Sequence, residues 1–184
     1  MDNSIGREAV TALKAMAERM LLTKDQYVVE PVLYDPRFEE APGGIARHHA
    51  YPGGLAKHTL EVAELMEKFC IGLGYEAMRL GFIASVMHDY GKVLEYEFNM
   101  DGSISRTPFA YLTRHLVWSW HFFLDKAKEV ELSAYDIREV GHAMLAHHGL
   151  KEWGSPVEPH TTLAFLLHAA DMLSMQKAGG EDRK

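Results

Sequence analysis

Val86-Met87-His88-Asp89-Tyr90-Gly91-Lys92 is the stretch that decides how the rest of the chain is read. An imidazole and a carboxylate sit side by side at the end of an apolar helical run. A glycine then breaks the helix and a lysine follows at once. His-Asp as a dipeptide carries little information alone. Its weight comes from what lies on either side: His58 upstream, then His115, the pair His147-His148 and Asp171 downstream, each in a segment with helical periodicity. Neutral imidazole and carboxylate are ligands that borderline divalent metals take. Such a set on separate helices points to a metal centre inside an all-α bundle.

Outward from this stretch, six main helices are predicted. Residues 76–90 form the helix that delivers His88, over a face of small residues, Ala77, Gly81 and Ala84, that lets a neighbour come close. Before it, residues 55–73 place His58 on the same face as Val62, Leu65 and Phe69, hence inward. After it, 93–98 and 103–107 flank Asn99-Met100-Asp101-Gly102 and read as a small β-hairpin. Helices follow at 111–130 with His115, at 133–148 with His147 and His148, and at 159–177 with Asp171. A first helix spans 4–22, with Ser4 as its cap. The prolines and glycine pairs of 23–54 predict a long irregular segment with a short extended piece at 27–33. The expected organisation is a helix and proline-rich loop (1–43), a helical domain carrying the ligand candidates (44–178) and a frayed tail (179–184).

Composition sets the outer limits. At 184 residues, 47% hydrophobic and 24% charged, the chain reads as one globular domain. Nineteen basic residues against 26 acidic ones, a net charge of −7, count against a broad surface for long nucleic acid or duplex DNA. A small phosphorylated substrate is compatible, because bound metals add local positive charge. The single cysteine, Cys70, excludes an internal disulfide and a multi-cysteine zinc site, and its apolar surroundings make it a core residue. With no membrane span and no signal-like segment, the expected location is the cytoplasm.

The ordered set resembles the HD superfamily of metal-dependent phosphohydrolases, whose pattern is His … His-Asp … His … His(-His) … Asp on an all-helical fold. The phrases His48-His49-Ala50-Tyr51-Pro52-Gly53-Gly54-Leu55, Lys57-His58-Thr59-Leu60, His147-His148-Gly149, Glu152-Trp153-Gly154-Ser155-Pro156-Val157 and Leu166-Leu167-His168-Ala169-Ala170-Asp171 resemble most the catalytic domain of bacterial HD-type 3′–5′ exoribonucleases. The resemblance covers about residues 44–178. It implies that His58, His88, Asp89 and Asp171 hold one divalent transition-metal ion. Asp89, His115, His147 and His148 would hold a second, with Asp89 shared. It also implies that Lys92 holds a phosphate oxygen. His49 and Trp153 are candidates to touch substrate, and His168 to orient Asp171. The metal is one of Mn, Fe, Co, Ni or Zn.

Those exoribonucleases carry an oligonucleotide-binding barrel before the catalytic domain, and the segment before residue 44 is too short for one. Tyr90 also stands where the family has an aliphatic residue. The expected activity is therefore hydrolysis of phosphoesters in nucleotides or short oligonucleotides. The alternative is a 3′–5′ exoribonuclease whose RNA-holding module comes from another protein or from homo-oligomerisation. A relaxase-type DNA nuclease shares the Pro-Gly-Gly-Leu and His-His phrases, but the chain is short and acidic for one. A non-hydrolytic nucleotide-sensing domain is the reading from a different class.

Overall fold

The structure is a computed structural model that describes residues 3–46 and 48–181, side chains of 177–181 excepted. It is helical throughout, save for one hairpin. In chain order the elements are α1 (Ser4–Met20), α2 (Thr23–Leu33), α3 (Pro36–Glu40), α4 (Gly54–Phe69), α5 (Tyr75–Met87), α6 (Lys92–Glu95), β1 (Tyr96–Phe98), β2 (Ile104–Arg106), α7 (Pro108–Leu112), α8 (Arg114–Glu129), α9 (Ala134–Ala146) and α10 (Thr162–Glu181). A single 3₁₀ turn, Lys151–Trp153, links α9 to α10. Among the described residues no helix is long and apolar enough to cross a membrane.

The architecture follows from α5. Every residue from Arg79 to Met87 is buried, so beyond its first turn this helix has no solvent face and occupies the centre. It packs against α1, α2, α4, α8, α9 and α10. Gly81 lies against Met66 and Cys70 at the end of α4, on the small-residue face read from the sequence. Buried Arg79 ties three elements together. Its guanidinium reaches Asp25 of α2 at 3.1 Å, Asp136 of α9 at 2.9 Å and Glu76 at 2.8 Å. A buried cation is tolerated only when paired in this way.

The six expected main helices are present as α1, α4, α5, α8, α9 and α10. Residues 23–40 correct the sequence reading, because they are helical and 27–33 is not extended. Pro31 sits inside α2, where a proline costs about 3 kcal/mol. The burial of Val28, Val29, Val32 and Leu33 offsets that cost. Pro36 starts α3 rather than denying it. It stands at the first helical position behind Asp35, whose carboxylate accepts from the Arg37 N–H at 2.9 Å. Asn3, not Ser4, occupies the cap position of α1.

The hairpin is shorter than predicted, with Tyr96 opposite Arg106 and Phe98 opposite Ile104, because 93–95 belong to α6. The helix predicted over 111–130 is interrupted at Thr113, and Arg114 has φ +55°. The last helix starts at Thr162 and runs through Gly179-Gly180 to Glu181. The end of the predicted tail, 182–184, lies outside the described residues.

Candidate metal centre

His88 and His147 occupy equivalent places, the C-caps of α5 and α9. The last carbonyls of a helix lack intrahelical partners. Each imidazole uses one of them, His88 Nδ1–H donating to Ser85 O at 2.8 Å and His147 Nδ1–H to Met144 O at 2.6 Å. A carbonyl can only accept, so in each neutral ring the Nε2 is left as a bare lone pair. His58 reaches the same state by a longer route. Ser174 of α10 donates its only proton to Glu61 Oε2 at 2.7 Å, so it must accept from His58 Nδ1 at 3.0 Å. His115 Nδ1 is paired with the Glu95 carboxylate, which also accepts from the His115 N–H at 3.2 Å.

These lone pairs converge on Asp89. Its Oδ2 lies 3.3 Å from His58 Nε2 and 3.4 Å from His88 Nε2. Its Oδ1 lies 3.4 Å from His115 Nε2 and 3.5 Å from His147 Nε2. Asp171 Oδ1 is 3.1 Å from His58 Nε2. Two sets result, His58/His88/Asp89/Asp171 and Asp89/His115/His147/His148, the ligand atoms within each lying within 4.8 Å of one another. The fit to divalent cations rests on two observations. His58 Nε2 and His88 Nε2 face each other at 3.3 Å, a contact that needs a cation or a shared proton between them. His115 Nε2 and His148 Nδ1 are buried with no hydrogen-bond partner among the described residues.

The charges of the centre compensate one another, a proton on His58 standing where a cation would. Burial opposes ionisation of Asp89, yet the Lys92 ammonium and the surrounding imidazoles hold its carboxyl well below the usual range. Burial likewise opposes ionisation of Asp171, and His58 more than reverses this. Burial also lowers His58, but its bonds to Asp171 and Asp89 outweigh it and raise it to about 9. His148 is pushed down to about 3 by burial and then by neighbouring His147 and His115, so it stays a neutral donor.

All seven ligand candidates read from the sequence thus meet in one place. Lys92 joins them, its ammonium 2.5 Å from Asp89 Oδ2. A cavity of about 320 Å³ opens over the centre, lined by Asp89, Lys92, His147, His148, Trp153 and Asp171 among others. Trp153 is 56% exposed at its edge. His49 borders a neighbouring cavity that meets the centre at His58. It is buried, with Nε2–H donating to Glu61 at 3.2 Å. His168 does not orient Asp171, since its Nδ1–H donates to His147 O at 2.7 Å. Arg47, one of the basic residues near the set in sequence, lies outside the described residues.

Three polar groups went unread in the sequence, Glu61, Glu95 and Ser174. Tyr90 fills its unusual position by donating to Asp35 at 2.6 Å, pinning the His-Asp turn to the start of α3. Gly91 is needed for closeness rather than for breaking the helix. A Cβ there would lie 2.4 Å from the carbonyl oxygen of His115, and its N–H donates to Ser119 at 2.9 Å. The contact sets α8, and with it His115, against the turn that carries Asp89.

A buried His-Asp at the end of a central helix, its carboxylate common to two donor sets, defines the class: a metal-dependent phosphohydrolase domain of the HD type. The sequence model of the HD domain family matches residues 55–176, and the chain belongs to that family. Among curated proteins it is similar to the 3'-5' exoribonuclease YhaM of Geobacillus sp. strain WCH70, with 32% identity over 141 residues, 76% of this chain and 43% of that protein. Its similarity to the protein of the same name from Listeria innocua is 26% over 144 residues, covering 76% of this chain and 44% of the relative. For Bacillus velezensis the figures are 29% over 142 residues, 76% and 44%. The chain therefore spans less than half the length of these relatives. No solved structure matches it.

Proposed function

We propose that this chain hydrolyses phosphodiester bonds in nucleotides or short oligonucleotides, using two divalent transition-metal ions. His58, His88, Asp89 and Asp171 would hold one ion, and Asp89, His115, His147 and His148 the other. The observation that carries the reading is the division of Asp89, one oxygen facing the His58/His88 pair and the other the His115/His147 pair. Such ions supply Lewis acidity toward phosphoryl oxygens and make water nucleophilic near neutral pH.

The chain's own groups do the rest. Asp89 and Asp171 stay ionised and offset the ions' charge. Lys92 stands beside Asp89 at the cavity floor, where its ammonium can hold a non-bridging phosphate oxygen and oppose the charge that builds there. Trp153 offers an exposed indole at the cavity edge on which a nucleobase can stack. The name of the relatives supports ribonucleotide substrates and attack from a 3′ end. A long strand would then need a holding surface beyond the one described here. The buried free thiol of Cys70 suits a reducing compartment such as the cytoplasm.

The test is a panel of nucleotides, dinucleotides and short RNA and DNA oligomers incubated with metal-stripped protein reloaded with Mn²⁺. Release of mononucleotides from dinucleotides or short RNA is expected. Nucleotide binding without turnover under every metal would overturn the enzymatic reading and leave a sensing domain.

A further inference from the structure

Beside the metal-centre cavity lies a second one of about 300 Å³. The two share Lys92 and Met175 as a common wall. The second is bounded by the loop before α4, through Gly43, Ile45, Ala46, His48 and His49, and meets the metal centre at His58.

Its wall is held firmly. The Gly43 N–H donates to His49 O at 2.8 Å, closing the loop on itself. Gly54, first residue of α4, lies so near that a Cβ would come 1.9 Å from His49 O. His49 is buried at φ +55°, and its ring is fixed on Glu61, the same carboxylate that orders Ser174 and, through it, His58. The loop facing the second cavity is thus anchored to the metal-ligand scaffold through α4. The chemistry of the wall is mixed. Ile45, Ala46 and Met175 give apolar surface, and His48 carries a buried Nδ1 with no hydrogen-bond partner among the described residues. A few convergent polar groups on an apolar, preformed wall mark a ligand site.

We propose that this second cavity is a nucleoside subsite. With the reacting phosphate at Lys92, the nucleoside on one side lies beneath Trp153 and the nucleoside on the other lies against residues 43–46 and 48–49, His48 meeting its polar edge. The inference rests on the phosphodiesterase reading above and deepens it, because the preferred substrate becomes a phosphate flanked by two nucleosides. Two cavities of this size hold about two nucleosides, near the lower end of ligand-site volumes. Recognition would accordingly be complete at the dinucleotide.

Ala46→Trp tests this by filling the second cavity from an exposed loop position outside both donor sets, and His48→Ala serves as a milder second variant. The probes are a dinucleotide and methyl p-nitrophenyl phosphate, a diester with nothing to place against the loop. The ratio of kcat/KM for dinucleotide to that for the aryl ester should fall at least about tenfold in Ala46→Trp, carried mainly by KM, and less in His48→Ala. A ratio unchanged in both variants would overturn the subsite. Titration of a phosphorothioate-linked dinucleotide onto each protein separates this outcome from failure of the catalytic reading. Should the wild type cleave neither probe, weaker dinucleotide binding by Ala46→Trp would still support the subsite, and equal binding would refute it. Circular dichroism of each variant identifies any that misfolds, in which case the other variant decides.

Discussion

Each histidine in the two donor sets whose ring carries a second bond is turned by that bond, and such contacts typically govern metal affinity by about 10–100-fold. Ser174 is the clearest case, because it relays Glu61 to His58 without being a ligand candidate itself. Ser174→Ala should weaken the His58 set by a factor of that order and the His115 set far less, read by competition against a graded series of chelators. Equal weakening of both sets would show that Ser174 acts on the fold and not on His58. Glu61 gives a pH signature. Burial raises its pKa, but bonds from His49 and Ser174 and the charge of Lys57 outweigh this and bring it down to about 2. A depressed folded-state pKa contributes stability above the unfolded value, lost as pH falls toward the folded one. Metal-free wild type should therefore lose Tm between about pH 4.5 and 2, and Glu61→Gln should flatten that limb. Parallel profiles for the two proteins would contradict the pairing. Trp153→Ala should raise KM for a dinucleotide about fivefold to a hundredfold, the worth of one base stacked on an aromatic ring.

At the scale of elements, the turn after α5 depends on Gly91. Gly91→Ala sets a Cβ against the backbone of His115, where no flexible side chain can yield. The expected result is a loss of about 1–3 kcal/mol, the usual cost of overpacking. Metal should be lost first from the set that contains His115, as seen in a lower Tm and reduced metal content. An unchanged Tm would mean that α8 shifts freely. This residue also shows what the sequence could reveal. A glycine after His-Asp reads as a helix stop, whereas its reason is a neighbour distant in the chain. Helices α4 and α9 were legible because apolar periodicity and the ligand residues coincide, and α5 and α10 because a long apolar run leads up to or spans the ligand residue. Helices α2 and α3 were not, because Pro31 and Pro36 read as breakers. Only tertiary burial of Val28, Val29 and Val32 reveals the first as tolerated, and only the Asp35 cap reveals the second as a start. The ligand candidates were legible as a set, since their order is itself a pattern. Glu61, Glu95 and Ser174 were not, since no spacing tells which acid or hydroxyl will face an imidazole across the fold.

At the scale of the whole molecule, net charge and the centre act in opposite directions. Nineteen basic against 26 acidic residues give a surface that repels a long polyanion, while the proposed two-ion centre and Lys92 would attract one phosphate strongly. Each phosphate neutralised by lysine or arginine on a single strand adds about 0.7 to the slope of log affinity against log salt. A chain that grips about one to three phosphates should show a shallow slope and a kcat/KM that stops rising beyond the shortest oligomers. Efficiency that climbs with length and collapses with salt would mean that this domain holds a strand along its surface. The claim beneath all of this is that two ions shared through Asp89 make the centre hydrolytic. It is tested most directly by adding Mn²⁺ in measured equivalents to metal-stripped protein, recording bound metal per chain and dinucleotide hydrolysis on the same samples. Hydrolysis should be absent without metal, binding should saturate near two ions per chain, activity should emerge as the second ion fills, and both should be lost in Asp89→Ala. Binding that saturates at one ion, or hydrolysis that persists in the stripped protein, would contradict it.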